Sequence, residues 1–233
     1  NNIIYNFTEM TSLIIIISIV LSGILAPLIQ KLFLKYKRLD VINHRSSHTV
    51  IATRTGGIAS FMVLFMISLY YYIIGKEIYD YSILVPLSIM FIVGVYDDFY
   101  NADFKLKFLM QIIVAKMLID QGLIIDDFYG IFGLNEIPRL LSQLFTVFVF
   151  LVLVNSINFI DGTDGLAITE VIKILVIFIY MLPSDVNSPL YYIGLISIAT
   201  LLPLYYFNHR RKNKIFLGDG GSLYLGTLVC VFV

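Results

Sequence analysis

Residues 12–34 read SLIIIISIVLSGILAPLIQKLFL, and blocks like it recur along the whole chain. A helix crossing a bilayer needs about 20 mostly apolar residues, because lipid offers no partner for backbone N–H and C=O groups. The pattern predicts helices near 12–34, 57–74, 82–96, 106–122, 140–157, 166–182 and 189–207, with an eighth beginning near 221. That eighth block reaches Val233 after 13 residues, fewer than a span needs. A fragment of a longer chain is therefore expected. The first ten residues, NNIIYNFTEM, lack the basic start of a cleavable signal peptide.

Composition agrees with a membrane protein and excludes an ordinary soluble domain. Hydrophobic residues make up 59% and charged residues 14%, against about 45–50% and about 25% in soluble domains. The formal net charge is zero, so bulk electrostatics gives no reason to expect nucleic acid as a partner. The single cysteine, Cys230, rules out an internal disulfide and reads as a packing residue.

The charges that remain are sorted by loop. With the N-terminus outside, the inward loops carry Lys35, Lys37, Arg38, Arg45, Arg54, Lys105, Lys107, Arg210, Arg211, Lys212 and Lys214, while the outward loops carry Lys76 and Arg139. Eleven basic residues against two orient the chain by the positive-inside rule. The outward segment 123–139, LIIDDFYGIFGLNEIPR, has two short β-like runs around Gly130 and Gly133 and predicts a small interfacial hairpin. Its Asp126-Asp127 pair reads as solvated loop.

Under this topology four polar clusters face the same side: DVINHRSSHTVIATRTGG (40–57), GVYDDFYNADFKLK (94–107), NSINFIDGTDGLA (155–167) and NKIFLGDGGSLYLG (213–226). Adjacent carboxylates such as Asp97 and Asp98 repel, which raises the pKa of one, or they share a cation; the plain alternative is two solvated acids ending a helix. Asn155 and Asn158 stand three apart at the end of the fifth helix, and Asp161 and Asp164 repeat that spacing. Capping of the next helix accounts for one Asp but not for two Asp and two Asn. Such oxygen donors suit a hard cation completed by phosphate oxygens. Asp219 precedes Gly220 and Gly221 at a helix start, where backbone amides can hold phosphate; a simple capped helix start fits as well. Arg45, His48 and Arg54 are donors suited to a phosphate or nucleotide. His44 reads as a surface histidine.

These four motifs, in this order and spanning nearly the whole chain, resemble the polyprenyl-phosphate N-acetylhexosamine-1-phosphate transferases (glycosyltransferase family 4), which start O-antigen, capsule and teichoic-acid linkage synthesis and are related to the phospho-MurNAc-pentapeptide transferase. The resemblance implies a single transmembrane catalytic domain over 1–233, about eight of some ten helices. The implied fold is an all-α polytopic membrane protein, a helix bundle with a cytoplasmic-face cleft and a small extracytoplasmic β-hairpin. It implies a bacterial cytoplasmic-membrane location and Mg2+, with Mn2+ as its substitute. The implied reaction joins a UDP-N-acetyl aminosugar (GlcNAc, GalNAc, QuiNAc or FucNAc type) to undecaprenyl phosphate and releases UMP. Membrane lipid is a further partner, and a homodimer is compatible.

Carried onto matching positions, the resemblance makes Asp219 the central Mg2+ ligand, with Asn158 as a second contact. Asp97 or Asp98 would deprotonate or position the lipid phosphate, and Lys107 would pair with phosphate. Asp161 and Asp164 resemble acids on the nucleotide and metal sides, and Phe216 resembles an aromatic that stacks on uracil. Direct attack by the lipid phosphate is the simpler mechanism; a covalent aspartyl phosphate through Asp98 is the alternative. The chain departs from the family pattern in three places. It reads VIATRTGG where prolines are usual, GDGGS in place of a GDSGS type, and RKN before IFLGD where Pro-Ala is usual. The family's His-rich loop would lie beyond Val233. Other readings are the peptidoglycan transferase itself, a transporter, and a truncated partner without activity. Transport is disfavoured, because only Lys116, Asp120, Glu170 and Lys173 approach helix interiors.

Overall fold

The structure is a computed structural model that describes residues 2–36, 52–133, 135–182 and 190–233. It is an all-α polytopic membrane protein. Among the described residues there are eight α-helices: α1 (Asn2–Lys35), α2 (Gly56–Ile73), α3 (Leu84–Tyr100), α4 (Phe104–Asp120), α5 (Arg139–Ile160), α6 (Leu166–Met181), α7 (Tyr191–Asn208) and α8 (Gly218–Phe232). All eight blocks expected from the hydropathy pattern are present. Among the described residues four stretches are long and apolar enough to cross a membrane: Glu9–Lys35, Gly56–Ile73, Tyr81–Tyr100 and Arg139–Ile160.

α1 shows why the chain needs lipid. Leu13, Ile16, Val20, Ile24, Leu28 and Leu32 recur at helical spacing and are exposed, whereas Ile14, Ser18, Ser22, Ala26 and Gln30 form the buried stripe. Small and polar side chains thus face the protein and large apolar ones face outward, the reverse of a soluble helix. The small side chains also carry hydrogen bonds between helices. Ser22 Oγ donates to the Thr200 carbonyl at 2.7 Å, and the Ser60 and Thr200 hydroxyls lie 2.7 Å apart.

α8 is the centre of the bundle, buried along nearly its whole length. It packs chiefly on α3 and α5, with α2 and α6 beside it. Glycines permit this closeness. A Cβ at Gly94 of α3 would fall 2.2 Å from the Asp219 carbonyl oxygen, and one at Gly57 of α2 would fall 2.1 Å from Gly221 Cα.

Two short strands were not anticipated. β1 (Ala52–Arg54) and β2 (Lys214–Phe216) pair in parallel, with Ala52 opposite Lys214 and Arg54 opposite Phe216. Each strand runs directly into a helix, β1 into α2 and β2 into α8. The two helix starts therefore lie side by side, joined by a 2.8 Å bond from the Gly57 amide to the Leu217 carbonyl. The hairpin expected in 123–139 is a single antiparallel bridge, Asp127 to Glu136, closed by a 3-10 turn at Ile131–Gly133.

Helix ends differ from the sequence reading in ways that matter for chemistry. α3 continues through Tyr100 and takes in Asp97 and Asp98, α5 continues through Ile160 and takes in Asn155 and Asn158, and α8 starts at Gly218, ahead of Asp219. Asn155 stands inside α5 as expected, while Asp97, Asp98, Asn158 and Asp219 stand on helical frames beyond the expected helix ends.

Candidate active site

Lys107 lies near the start of α4, whose first turn is capped by the Asp103 carboxylate accepting from the Lys105 amide at 3.0 Å. Its Nζ donates to Asp97 of α3 and lies 3.2 Å from Asp219 Oδ2 of α8. One ammonium thus joins carboxylates from two helices. Asp97 is fixed by its other oxygen, which accepts the Ala102 amide at 2.8 Å. Asp219 is fixed by Asn158 of α5, whose Nδ2 donates to Asp219 Oδ1 and to Ser222 Oγ, both at 2.8 Å.

The other two carboxylates hold the start of α8. Asp98 Oδ2 accepts the Gly220 amide at 3.0 Å, and Asp98 Oδ1 lies 3.3 Å from Arg54 Nη1 on β1. Asp161 Oδ2 accepts the Gly218 amide at 2.9 Å. Two first-turn N–H groups of α8, which in principle could bind a substrate phosphate, already have carboxylate acceptors. Burial pushes the Asp161 carboxyl up to about 8, against the Gly218 hydrogen bond, which favours the ionised form. Nearby Asp219 and Asp98 push it the same way as burial.

The loop between α5 and α6 is stapled to β2. Asn208 Oδ1 accepts the Gly165 amide at 2.6 Å, Asn208 Nδ2 donates to the Ile215 carbonyl at 3.0 Å, and Lys214 pairs with Asp164. Gly165 has φ +68°, and a Cβ there would strike the His209 ring, so the turn requires glycine. On the other side of the sheet, Gln30 Nε2 donates to the Asn213 and Lys214 carbonyls at 2.9 and 3.0 Å.

Of the residues singled out from sequence, Asp97, Asp98, Lys107, Asn158, Asp161, Asp219 and Arg54 form one connected cluster. Asp164 lies at its edge, 45% exposed and paired to Lys214. Asn155 stands one step further along α5 and is paired with Gln111. Phe216 is 3% exposed on β2, so its ring lies in the packed interior and presents no open face to a base in this arrangement. His48, with His44 and Arg45, lies outside the described residues.

Sequence reasoning missed Gln111, Ser222 and Gln30, and had no role for Asn208. Gln111 stands four residues after Lys107 on one helix face, a spacing that could have marked it. Gln30 could be found only from the fold, since its partners are carbonyls across the bundle.

Could this cluster hold a metal? Asp97, Asp98, Asp161 and Asp219 supply four carboxylates against the two cations Lys107 and Arg54. The surplus is negative and the donors are hard oxygens, which fits Mg2+. Among the described residues no three acid, imidazole or thiolate groups converge to hold an ion unaided. Substrate oxygens or water would have to complete the shell, as is usual for Mg2+. Of the three carboxylates in this cluster that pair with a cation, Asp219 is the most open, 23% exposed against 11% for Asp97 and 9% for Asp98. It would be the carboxylate of the three most accessible to an ion.

Known proteins resemble this sequence over most of its length. Residues 81–233 match the family model described as glycosyl transferase family 4. The chain is 31% identical over 222 residues to a probable undecaprenyl-phosphate N-acetylglucosaminyl 1-phosphate transferase of Bacillus subtilis, covering 93% of this chain and 60% of that protein. It is 28% identical over 203 residues to a decaprenyl-phosphate N-acetylglucosaminephosphotransferase of Mycobacterium tuberculosis, covering 79% and 50%. It is 33% identical over 161 residues to a phospho-N-acetylmuramoyl-pentapeptide-transferase of a Wolbachia species, covering 62% and 48%. The chain thus spans half to three fifths of the length of these relatives.

Proposed function

This chain belongs to glycosyl transferase family 4, and on that premise we propose that it forms the core of an enzyme that moves a sugar 1-phosphate from a UDP-N-acetylhexosamine to undecaprenyl phosphate, releasing UMP. The observation that carries this reading is Lys107 held between Asp97 and Asp219, with Asn158 orienting Asp219. Both substrates are anionic, so the first barrier is phosphate meeting phosphate. Lys107 supplies one cation where charge gathers, and the surplus of carboxylates around it leaves the rest of the screening to a bound Mg2+.

In the proposed reaction an oxygen of the lipid phosphate attacks the sugar-bearing phosphorus of the donor. The bond to the second donor phosphate breaks, and UMP leaves with those electrons. Asp97, already bonded to Lys107, takes or orients the acceptor's proton. Lys107 pairs with phosphate as the two groups approach. Asp219, with Asn158 behind it, would hold Mg2+, which supplies charge neutralisation on the phosphates. Asp98 is poorly suited to form a covalent aspartyl phosphate, since its two oxygens face Arg54 and the Gly220 amide. The single displacement is therefore the mechanism we favour. The basic loops on one side support a site facing the cytoplasm. The names of two relatives make N-acetylglucosamine the first donor to test.

The test is UMP release from membranes carrying the chain within its full-length gene product, with undecaprenyl phosphate and a panel of donors. Release with one UDP-N-acetyl sugar, lost with EDTA and reduced about a thousandfold in Asp219→Asn, is expected. Turnover of UDP-MurNAc-pentapeptide alone would move the assignment to the peptidoglycan branch. No release with any donor from folded protein would overturn the proposal.

A further inference from the structure

Gln111 is 1% exposed on α4, one helical turn from Lys107. Its amide exchanges two hydrogen bonds with Asn155 of α5. Asn155 Nδ2 donates to Gln111 Oε1 at 2.7 Å, and Gln111 Nε2 donates to Asn155 Oδ1 at 3.2 Å. Asn155 Nδ2 also donates to the Leu151 carbonyl of its own helix at 2.7 Å, which fixes the side chain. This pair lies one turn along from the place where Lys107 and Asn158, on the same two helices, meet at Asp219.

Gln111 is buried while Asn155 is exposed, and an amide buried on the α4 side needs a partner that leucine in its place would not require. α4 makes its main contacts with α5 and α3 only. Leu106, Phe108, Leu109 and Ile113 on its other faces are exposed to what would be lipid. Apolar packing is not directional and tolerates sliding. An amide pair is directional and tolerates little. A slip of one residue moves a side chain by about 1.5 Å along the axis and about 100° around it, enough to take Lys107 Nζ away from both carboxylates.

We propose that Gln111 and Asn155 are positioning residues, a register pin between α4 and α5 that holds Lys107 between Asp97 and Asp219. The proposal rests on the role given to Lys107 above, but its first readout does not depend on turnover. Lys107, 17% exposed and paired to two carboxylates, should react slowly with an amine-directed reagent. Lys105, exposed on the same helix, serves as the internal reference.

The experiment compares the unmodified full-length protein with Gln111→Met, Asn155→Leu and the double swap Gln111→Asn with Asn155→Gln. Labelling of Lys107 relative to Lys105 is read by peptide mass spectrometry. Each single variant is expected to raise Lys107 labelling about fivefold and to lower kcat about tenfold with KM nearly unchanged, the scale of one lost hydrogen bond. The swap, which restores an amide facing an amide, is expected to recover most of both. Unchanged Lys107 labelling in both folded single variants would overturn the proposal, as would a swap no better than the singles. The expected labelling changes in a protein that turns over no donor would sustain the pin and overturn the transferase reading instead.

Discussion

The tetrapeptide Asp-Asp-Phe-Tyr occurs twice, at 97–100 and at 126–129, and the two copies fold differently. The first closes α3, and its acids reach Lys107, Arg54, the Ala102 amide and the Gly220 amide. The second lies in the hairpin, where Asp127 accepts the Tyr129 amide at 2.6 Å and Asp126 uses its backbone carbonyl to accept from Ile137 at 2.9 Å. The same local chemistry thus makes a site in one place and a turn in the other. The difference comes from what the bundle brings opposite: α8 with its glycine-lined start and α4 with Lys107 face the first copy, while a lone antiparallel bridge faces the second.

The comparison breaks if the two copies respond alike to substitution. Asp97→Asn should lower UMP release about a thousandfold, as expected when a charged group at the reacting centre is lost. Asp126→Asn should stay within about twofold, as for surface changes generally. Equal losses would mean that the hairpin contributes to turnover, and the site would have to be redrawn.

A second effect concerns how the first copy is seated. Gly94 stands one turn before Asp98 and touches Asp219 backbone, so Gly94→Ala forces α3 away from α8. Backbone offers no flexible end to yield, and a loss of about 3 kcal/mol is expected, the upper range for overpacking. On the hairpin side Gly133 has φ +74°, and a Cβ added there would meet nothing within 4 Å. Gly133→Ala should therefore cost only the backbone strain of alanine in that conformation, about 1 kcal/mol. Thermal unfolding in detergent separates the two.

Much of this is legible in the sequence. Eight helices follow from hydropathy because lipid demands long uninterrupted backbone pairing, and the gathering of Asp97, Lys107, Asn158 and Asp219 follows from placing their motifs on one side. The residues that escaped did so for physical reasons. The β1–β2 pairing sets Ala52 opposite Lys214, and strands so short and so far apart in the chain leave no alternating pattern to register. Gln111 sits inside an apolar helix, where its meaning depends on Asn155 across the seam. Phe216 resembles a stacking aromatic in sequence, and only the fold shows that it stands on a buried strand.

The smallest expected effect sharpens the comparison from the site side. Asp161 is buried, and its carboxyl is pushed up to about 8, mainly by burial. A carboxyl that holds its proton more tightly folded than unfolded stabilises the fold at low pH and loses that contribution as pH rises. In EDTA, therefore, the unfolding temperature of the unmodified protein should decline between about pH 4 and pH 8 through this group. Asp161→Asn keeps an oxygen for the Gly218 amide and has no proton to lose, so it should remove that part of the decline. If the slope is the same in Asp161→Asn, the carboxylates that clasp α8 share their charge differently, and Asp98 becomes the next group to substitute.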